Sequence, residues 1–196
     1  MSIKILGGVF KHFSLKVPIG PTRPTSVILR RKIFDKYQNL SNHIFIDACA
    51  GSGAMGIEAL SRGAEKIYFI EKSPNALKIL KQNMCLLATK FFPDQKSVPW
   101  DLIGEDFSRL IKSGFIQEML KNQSSYSNII FFDPPYKEHD MYYQVENELL
   151  TQTFKGQIWI ESDELVGISA SHWEKYKSLN KIIRQGKSYL AIFICE

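Results

Sequence analysis

The sequence is poor in the residues that form disulfide frameworks, and no apolar run is long enough to cross a membrane. Only three of the 196 residues are cysteine, and neither they nor the four histidines have the spacing of metal ligands. A membrane span needs roughly 18 consecutive apolar residues. We therefore expect reduced, buried thiols, no metal site and no membrane contact. Since MSIKILGGVFKHF does not resemble a signal peptide, we also expect a cytoplasmic protein.

Acidic residues are nearly missing from the first forty residues, and positive charge is concentrated there. Residues 1–40 contain eight lysines or arginines and a single acid, Asp35, which gives a net charge of +7. The whole chain has a formal charge of +5, so the remainder carries −2. A basic region on a nearly neutral body suggests a polyanionic partner. A solvated basic face would have the same composition, and charge alone does not decide between the two.

The hydrophobic pattern predicts one α/β domain, residues 41–196, preceded by a small basic N-terminal extension, residues 1–40. In the extension we predict a strand, a Gly7-Gly8 turn, a second strand and a helix over 25–38 that Thr25 would cap. From residue 43 onward, strands alternate with helices. The predicted strands are 43–49, 66–71, 98–106, 127–133, 156–162, 176–184 and 188–195, and the predicted helices are 53–63, 73–90, 107–120 and 139–152.

Several predicted strands are continuous apolar runs, which is typical of a parallel sheet covered by helices on both faces. We therefore predict a mostly parallel, seven-stranded α/β sheet. The last two strands, joined near RQGKS, should form a C-terminal hairpin that adds an antiparallel edge.

A glycine-rich loop follows the first predicted strand of the domain. Within DACAGSGAMGIEA, the residues Gly51, Gly53 and Gly56 form the pattern G-x-G-x-x-G of nucleotide-binding loops. Glycine lets the backbone turn sharply and approach a ligand, and the next helix directs free N–H groups into the same crevice. The position between a strand and a helix favours a bound ligand over the alternative, a tight structural turn.

Two acidic residues at strand ends bear on which ligand the loop holds. Asp47 ends the preceding strand, where a carboxylate beside the pyrophosphate of NAD would cost energy. S-adenosylmethionine reverses the sign of this interaction, because it carries an ammonium group and a positive sulfur. Glu71, 18 residues after Gly53, could accept hydrogen bonds from the ribose hydroxyls of either cofactor. The sequence therefore favours S-adenosylmethionine over NAD.

A second motif, Asp133-Pro134-Pro135-Tyr136, follows the buried strand NIIFF at the edge where the cofactor is expected. Two successive prolines stiffen the loop, so the Asp133 carboxylate and the Pro134 carbonyl can act as fixed acceptors beside the Tyr136 ring. This arrangement suits a planar ring with an exocyclic amine. Hydrogen bonds to the amine would free its delocalised lone pair for attack on a sulfonium methyl aligned at about 3 to 3.5 Å. An isolated Asp-Pro-Pro could instead be only a turn.

Longer stretches resemble a known family. DACAGSGAMGIEALSRGA, FIE, GED and FFDPPY resemble Rossmann-like S-adenosylmethionine-dependent methyltransferases that modify exocyclic amines. RPTSVILRRKIF and ILGG narrow the likeness to the bacterial small-subunit ribosomal RNA guanine-N2 methyltransferases. The resemblance covers nearly the whole chain. It implies a Rossmann-like methyltransferase fold and methylation of one guanine in the assembling small ribosomal subunit, and we expect the enzyme to be a monomer.

The resemblance also implies roles for individual residues. Asp106 would approach the adenine amino group of the cofactor, with Phe107 packing near the ring. The catalytic residues would be Asp133, Pro134 and Tyr136, and the cofactor contacts Asp47, Gly51, Ser52, Gly53, Glu71, Asp106, Phe107 and Thr25. The expected nucleic-acid contacts are Lys11, Arg23, Arg30 and Arg31. The chain departs from the family at Lys11-His12-Phe13, Val27-Ile28 and Arg31, all within the N-terminal extension.

Three alternatives stay open at this point. A DNA adenine or cytosine amino-methyltransferase also uses D-P-P-Y, but such enzymes commonly carry a further target-recognition region, and the stretch after the motif is short here. A non-catalytic RNA-binding assembly factor on the same fold is disfavoured by two intact motifs. A NAD oxidoreductase is disfavoured by Asp47.

Overall fold

A seven-stranded sheet lies at the centre of the protein in the computed structural model, which describes residues 2–18, 26–121, 127–151 and 154–196. The strands are β1 (Ser2–Lys4), β2 (Ser14–Lys16), β3 (His43–Ala48), β4 (Lys66–Ile70), β5 (Trp100–Ile103), β6 (Ser127–Phe132), β7 (Gly156–Asp163), β8 (Leu179–Gln185) and β9 (Ser188–Cys195). The helices are α1 (Val27–Lys36), α2 (Ala54–Ser61), α3 (Pro74–Phe91), α4 (Phe107–Lys112), α5 (Phe115–Lys121), α6 (His139–Val145) and α7 (Ala170–Trp173), with a π-helix at Glu146–Leu150. The strands β1 and β2 form a separate antiparallel hairpin.

The strands of the large sheet are ordered β5-β4-β3-β6-β7-β9-β8. Neighbours from β5 to β7 are parallel, whereas β9 runs antiparallel to both β7 and β8. The predicted mostly parallel sheet and its C-terminal hairpin are confirmed, but the antiparallel strand is not the edge itself. The edge strand β8 runs in the same direction as β3 to β7. After β3 the chain adds β4 and β5 on one side of that strand and then β6 and β7 on the other. A ligand is expected at this switch point, near the carboxyl ends of β3 and β6.

Each face of the sheet has its own buried core, because successive side chains of a strand point to opposite faces. Phe45 of β3 belongs to the core on the side of α1, α2 and α3, whereas Ile44 and Ile46 belong to the core on the side of α4 to α7. The N-terminal extension contributes to the first core, with Ile5, Phe10, Phe13, Leu15, Leu29, Ile33, Phe34 and Leu40. The extension therefore packs on the domain and shares its core.

The helix starts follow local sequence signals. Ser73 caps α3 by accepting a first-turn N–H at 3.4 Å, and Pro74 occupies the first helical position. The cap of α1 is Ser26, whose hydroxyl accepts a first-turn N–H at 3.1 Å. The predicted cap, Thr25, lies outside the described residues.

Two of the predicted helices are interrupted. The helix predicted over 107–120 is divided into α4 and α5, with Gly114 between them at a φ of +73°. The helix predicted over 139–152 changes from α6 to a π-helix at Glu146. The short helix α7 was not predicted, because four residues are too few to show a helical period.

Polar side chains of α2 hold the loop between β1 and β2. The buried Glu58 carboxylate accepts the N–H groups of Leu6 at 2.8 Å and Gly7 at 2.9 Å, and it pairs with Arg62 at 3.0 Å. The buried Ser61 hydroxyl accepts a further N–H of the loop at 2.8 Å and donates to the Gly7 carbonyl at 2.6 Å. The bonds from Glu58 and Ser61 to the loop join residues more than fifty positions apart, so they fix the extension to the domain in a way that local patterns do not indicate.

The three cysteines are free thiols. Cys49 and Cys195 are half-buried, but Cys85 is exposed because α3 directs it to solvent, so the prediction of buried thiols is wrong for Cys85. No helix in the described part of the chain combines the length and apolar character that a membrane crossing requires. Within those same residues, no group of His, Cys, Asp and Glu side chains is arranged to hold a metal ion.

Candidate active site

Acidic side chains from neighbouring strands meet at the carboxyl edge of the sheet. Asp47 lies near the end of β3, Glu71 directly after β4 and Asp133 directly after β6. The negative charges of Glu71 and Asp133 both act on Asp47, so the three carboxyl groups lie near one another at this edge. The sequence predicted these residues for one site, and parallel strands bring them together because their carboxyl ends meet at the same edge.

Asp47 is almost fully buried, with 2% of its surface exposed. Its Oδ2 accepts the Gly56 N–H in the first turn of α2 at 2.8 Å. Burial raises the pKa of Asp47 to about 8; the hydrogen bond from Gly56 opposes this rise, and the charges of Asp133 and Glu71 add to it. A buried acid of this kind favours a cationic group beside it, since the cation would stabilise the ionised carboxylate.

The glycine loop between β3 and α2 adopts a backbone that its glycines permit. Gly51 and Gly53 have φ values of +55° and +81°, in the left-handed region. An added Cβ on Gly56 would lie 2.3 Å from the Phe69 ring of β4, so α2 packs this closely on the sheet only because Gly56 has no side chain. The loop thus combines a sharp turn with tight helix–sheet packing, as in nucleotide-binding loops.

Both oxygens of the Glu71 carboxylate accept backbone N–H groups of the surrounding loops. Oε2 accepts from Gly51 at 2.8 Å, and Oε1 accepts from Ser73 at 2.7 Å. Each carboxylate oxygen can accept a second hydrogen bond. Glu71 therefore links the glycine loop to the start of α3 and retains acceptor capacity for the hydroxyl groups of a ligand.

Asp106 and Phe107 lie at the start of α4, beyond the end of β5. Asp106 caps α4 through the Ser108 N–H at 2.9 Å and pairs with Lys72 at 3.2 Å. Burial raises the pKa of Asp106, but these two partners outweigh it and hold the pKa below its usual value. The Phe107 ring packs on Phe132 with centroids 5.6 Å apart and is buried. Phe107 therefore belongs to the core, whereas the Asp106 side chain is partly exposed.

The Asp-Pro-Pro-Tyr motif follows β6 at its carboxyl end. Asp133 and Tyr136 are half-buried, and Pro134 is buried. The Tyr136 hydroxyl donates to Glu161 Oε1 at 3.1 Å and lies 3.5 Å from Ser188 Oγ at the start of β9. Burial and the negative charges of Glu161 and Asp133 raise the pKa of Tyr136, so its hydroxyl stays neutral and donates. The Tyr136 hydroxyl therefore links the motif to β7 and β9.

Asn83 of α3 connects the glycine loop to the N-terminal extension, and sequence reasoning missed it. Its side chain is fully buried, and Nδ2 donates to the carbonyls of Ser52 and Lys16, both at 2.9 Å. Its Oδ1 accepts the Lys16 N–H at 2.9 Å. The available signal was a polar residue within the apolar stripe of a helix. Glu161, by contrast, is recognisable in the sequence as an acid near the end of an apolar strand, and it is buried in β7.

The basic residues predicted to contact nucleic acid differ in exposure. Lys11, between β1 and β2, and Arg31 of α1 are exposed, whereas Arg23 lies outside the described residues. Arg30 is only 1% exposed, and its Nη2 donates to the Lys4 carbonyl at 2.8 Å. Burial lowers the pKa of Arg30. Because α1 packs this face on the hairpin, a direct phosphate contact by Arg30 would require its side chain to leave this position.

The strand order and the position of the site together define the class of protein. Three acids and a glycine loop lie at the carboxyl ends of the parallel strands, and the antiparallel strand β9 is inserted between β7 and the edge strand β8. This is the Rossmann-like methyltransferase fold that the sequence predicted.

The chain belongs to the family described as conserved hypothetical protein 95, which matches residues 3–193. It is similar to ribosomal RNA small subunit methyltransferase D of Buchnera aphidicola subsp. Baizongia pistaciae, with 29% identity over 197 residues that cover 96% of this chain and 84% of the relative. This relative agrees with the predicted resemblance to small-subunit ribosomal RNA methyltransferases.

Two solved structures share the fold. The yhhF protein of Escherichia coli, provisionally named a methyltransferase, matches with a TM-score of 0.71 and 22% identity, over 100% of this chain and 99% of that one. SMU.776, also provisionally named a methyltransferase and complexed with SAH, matches with a TM-score of 0.63 and 13% identity, over 93% of this chain and 54% of that one. Both likenesses confirm the predicted fold class.

Proposed function

We propose that the protein transfers a methyl group from S-adenosylmethionine to the exocyclic N2 amine of a guanine in small-subunit ribosomal RNA. The main support is the Asp-Pro-Pro-Tyr motif, which follows β6 beside the acid-lined crevice of β3 and β4. The name of the Buchnera relative supports the RNA substrate, and the SAH complex of SMU.776 supports the cofactor. We place the reaction in the cytoplasm, on an assembling small subunit, with a monomeric enzyme.

The crevice fits the proposed cofactor, which when bound supplies a methyl group on a positively charged sulfur. Asp47, with its pKa near 8, would be ionised beside the ammonium group. Glu71 can accept hydrogen bonds from the ribose hydroxyls, and Asp106 lies at the next strand end for the adenine amine. An added Cβ on Gly51 would have no neighbour within 4 Å, so this part of the loop borders open space.

The target base would be held by the Asp-Pro-Pro-Tyr motif. The Asp133 carboxylate and the Pro134 carbonyl would accept the two N–H groups of the amine and direct its lone pair toward the methyl group. The Tyr136 ring would stack on the base, an interaction worth about 1–3 kcal/mol. Glu161 accepts the Tyr136 hydroxyl at 3.1 Å and so fixes the orientation of the ring. The guanine must leave its stack to reach this position.

Exposed basic residues of the N-terminal extension would position the RNA through its phosphates. Lys11 and Arg31 are available for this role, and Arg23 stays part of the proposal. Arg30 would instead support the extension through its bond to the Lys4 carbonyl.

The proposal is tested by incubating the protein with methyl-labelled S-adenosylmethionine and, separately, small-subunit RNA, small ribosomal subunits and duplex DNA. We expect label in RNA or subunits, and mapping of the modified nucleotide should locate one guanine methylated at N2. Label in DNA alone would favour the amino-methyltransferase of DNA, and no transfer to any substrate would favour a non-catalytic assembly factor.

Binding of S-adenosylmethionine is expected to release close to one proton at pH 7. The pKa of Asp47 is about 8 in the free protein, so the carboxyl is mostly protonated at this pH. A cationic ligand lowers that pKa, and the proton leaves. Affinity should therefore rise about tenfold between pH 6 and pH 7. Calorimetry at pH 7 in buffers of different ionisation enthalpy measures the release.

The control for this prediction is Asp47→Asn, which keeps a side-chain acceptor for the Gly56 N–H but does not titrate. Its observed binding enthalpy should be the same in every buffer. A wild-type protein whose binding enthalpy also does not depend on the buffer would contradict the contact between Asp47 and the ammonium group.

A further inference from the structure

A basic groove runs between α1 and the edge strand β8. We call it the α1–β8 groove; it has a volume of about 410 Å³ and is lined by Lys32, Asp35, Lys36, Lys181, Ile182, Ile183 and Arg184. Four of these seven side chains are basic and one is acidic. The basic ones come from the N-terminal extension and from the far end of the chain, so the groove exists only in the folded protein.

Positive charge in the α1–β8 groove is only partly neutralised. Arg184 pairs with Glu164 outside the groove. Lys32 Nζ donates to the Arg184 carbonyl at 3.0 Å, which holds its ammonium group at the strand edge without cancelling its charge. In the described part of the chain, Lys32, Lys36 and Lys181 form no ion pair with an acid.

Lys36 and Lys181 lie close enough to affect each other. A close side-chain contact with Lys181 lowers the pKa of Lys36, and the positive charge of Lys181 lowers it further. Two neighbouring ammonium groups repel each other, and an anion between them would remove the repulsion. The pair is exposed, so such an anion can approach from solvent.

The β8–β9 hairpin connects the groove to the candidate active site. Along the β8–β9 hairpin, Arg184 pairs with Tyr189 and Gln185 pairs with Ser188. The Ser188 hydroxyl lies 3.5 Å from the Tyr136 hydroxyl. From Arg184, β8 runs away from this edge to Lys181, a distance of about 10 Å at the rise of an extended strand. A chain of phosphates leaving the Tyr136 ring could therefore follow β8 into the groove.

We propose that the α1–β8 groove binds the phosphate backbone of the RNA substrate next to the target nucleotide. The proposal rests on the proposed function and extends the RNA-binding surface from the N-terminal extension to β8. Lys32, Lys36 and Lys181 contact phosphates and set the direction in which the strand leaves the site, without reading its sequence. The competing explanation is that lysines on an edge strand only prevent pairing with other chains.

The test is the salt dependence of binding to a small-subunit ribosomal RNA transcript. The slope of log affinity against log salt is negative. For the double variant Lys36→Gln/Lys181→Gln it should become less steep by about 0.7 for each lost single-strand contact, about 1.4 in total. The control Lys96→Gln/Lys112→Gln removes the same charge from exposed residues outside the groove and should keep the wild-type slope. Filter binding between low and moderate salt measures all three proteins.

Failure of this proposal is separable from failure of the proposed function, because methyl transfer by the wild-type protein is measured in parallel. A wild-type protein that methylates the transcript, with a groove variant of unchanged slope, would overturn the groove and leave the function intact. Equal slope losses in the groove and control variants would also overturn it, because the effect would then be one of net charge. The proposal would also be overturned if the slope were unchanged and the groove variant self-associated in sedimentation. That result would mean that the lysines of β8 only prevent the edge strand from pairing with other chains.

Discussion

Replacement of Asp133 by alanine is expected to reduce methyl transfer by about a hundredfold or more while S-adenosylmethionine still binds. The reason is that Asp133 would orient the amine only as the methyl group approaches, and loss of one such preorganised contact typically costs 10²–10³ in rate. Cofactor binding should not weaken, because the negative charge of Asp133 raises the pKa of Asp47. Without that charge the Asp47 carboxyl ionises more easily, so its attraction to the ammonium group of the cofactor should be at least as strong.

Single-turnover transfer with excess enzyme, together with calorimetry of cofactor binding, separates these effects. Asp140→Ala is the matched control, since Asp140 is an exposed acid in the first turn of α6, close to the motif in the chain. It should transfer at the wild-type rate. If the Asp133→Ala protein also transferred at that rate, the Asp-Pro-Pro-Tyr loop would be a structural turn and the catalytic assignment would be wrong.

Much of the fold could be predicted because its signals are local. Continuous apolar runs such as IIFF predicted buried parallel strands, and Ser73-Pro74 marked the start of α3. A parallel sheet then places every strand end at one edge. For that reason Asp47, Glu71 and Asp133 could be assigned to one crevice although 86 positions separate the first from the last.

Features that depend on which face of an element is buried could not be predicted in the same way. A count of charges treats Arg30 and Arg31 alike, but α1 packs Arg30 on the β1–β2 hairpin and directs Arg31 to solvent. Phe107 follows Asp106, the acid predicted to approach the cofactor, yet its ring packs in the core against Phe132. The contribution of β8 to the basic surface was also hidden, because Lys181 meets Lys36 only through the tertiary contact between β8 and α1.

The attachment of the N-terminal extension is a further long-range feature, and it leads to the second large effect. Replacement of Glu58 by alanine is expected to lower the free energy of unfolding by about 3–5 kcal/mol, the usual cost of removing one partner from a buried ion pair. The change leaves the Leu6 and Gly7 N–H groups without their acceptor and leaves the Arg62 guanidinium, itself mostly buried, without its carboxylate. Urea denaturation of both proteins measures the loss.

Two further variants show whether the loss comes from these bonds. Glu58→Gln keeps an acceptor oxygen but not the charge, so it should lose less stability than alanine. Glu118→Ala removes an exposed acid whose partner, Lys121, is also exposed, and should change stability by no more than about 0.5 kcal/mol. In Glu58→Ala, hydrogen exchange should increase first at the loop between β1 and β2, because this loop is what Glu58 holds. If that loop stayed protected and the midpoint of unfolding did not move, the extension would be held by its apolar contacts with α2 and α3 instead.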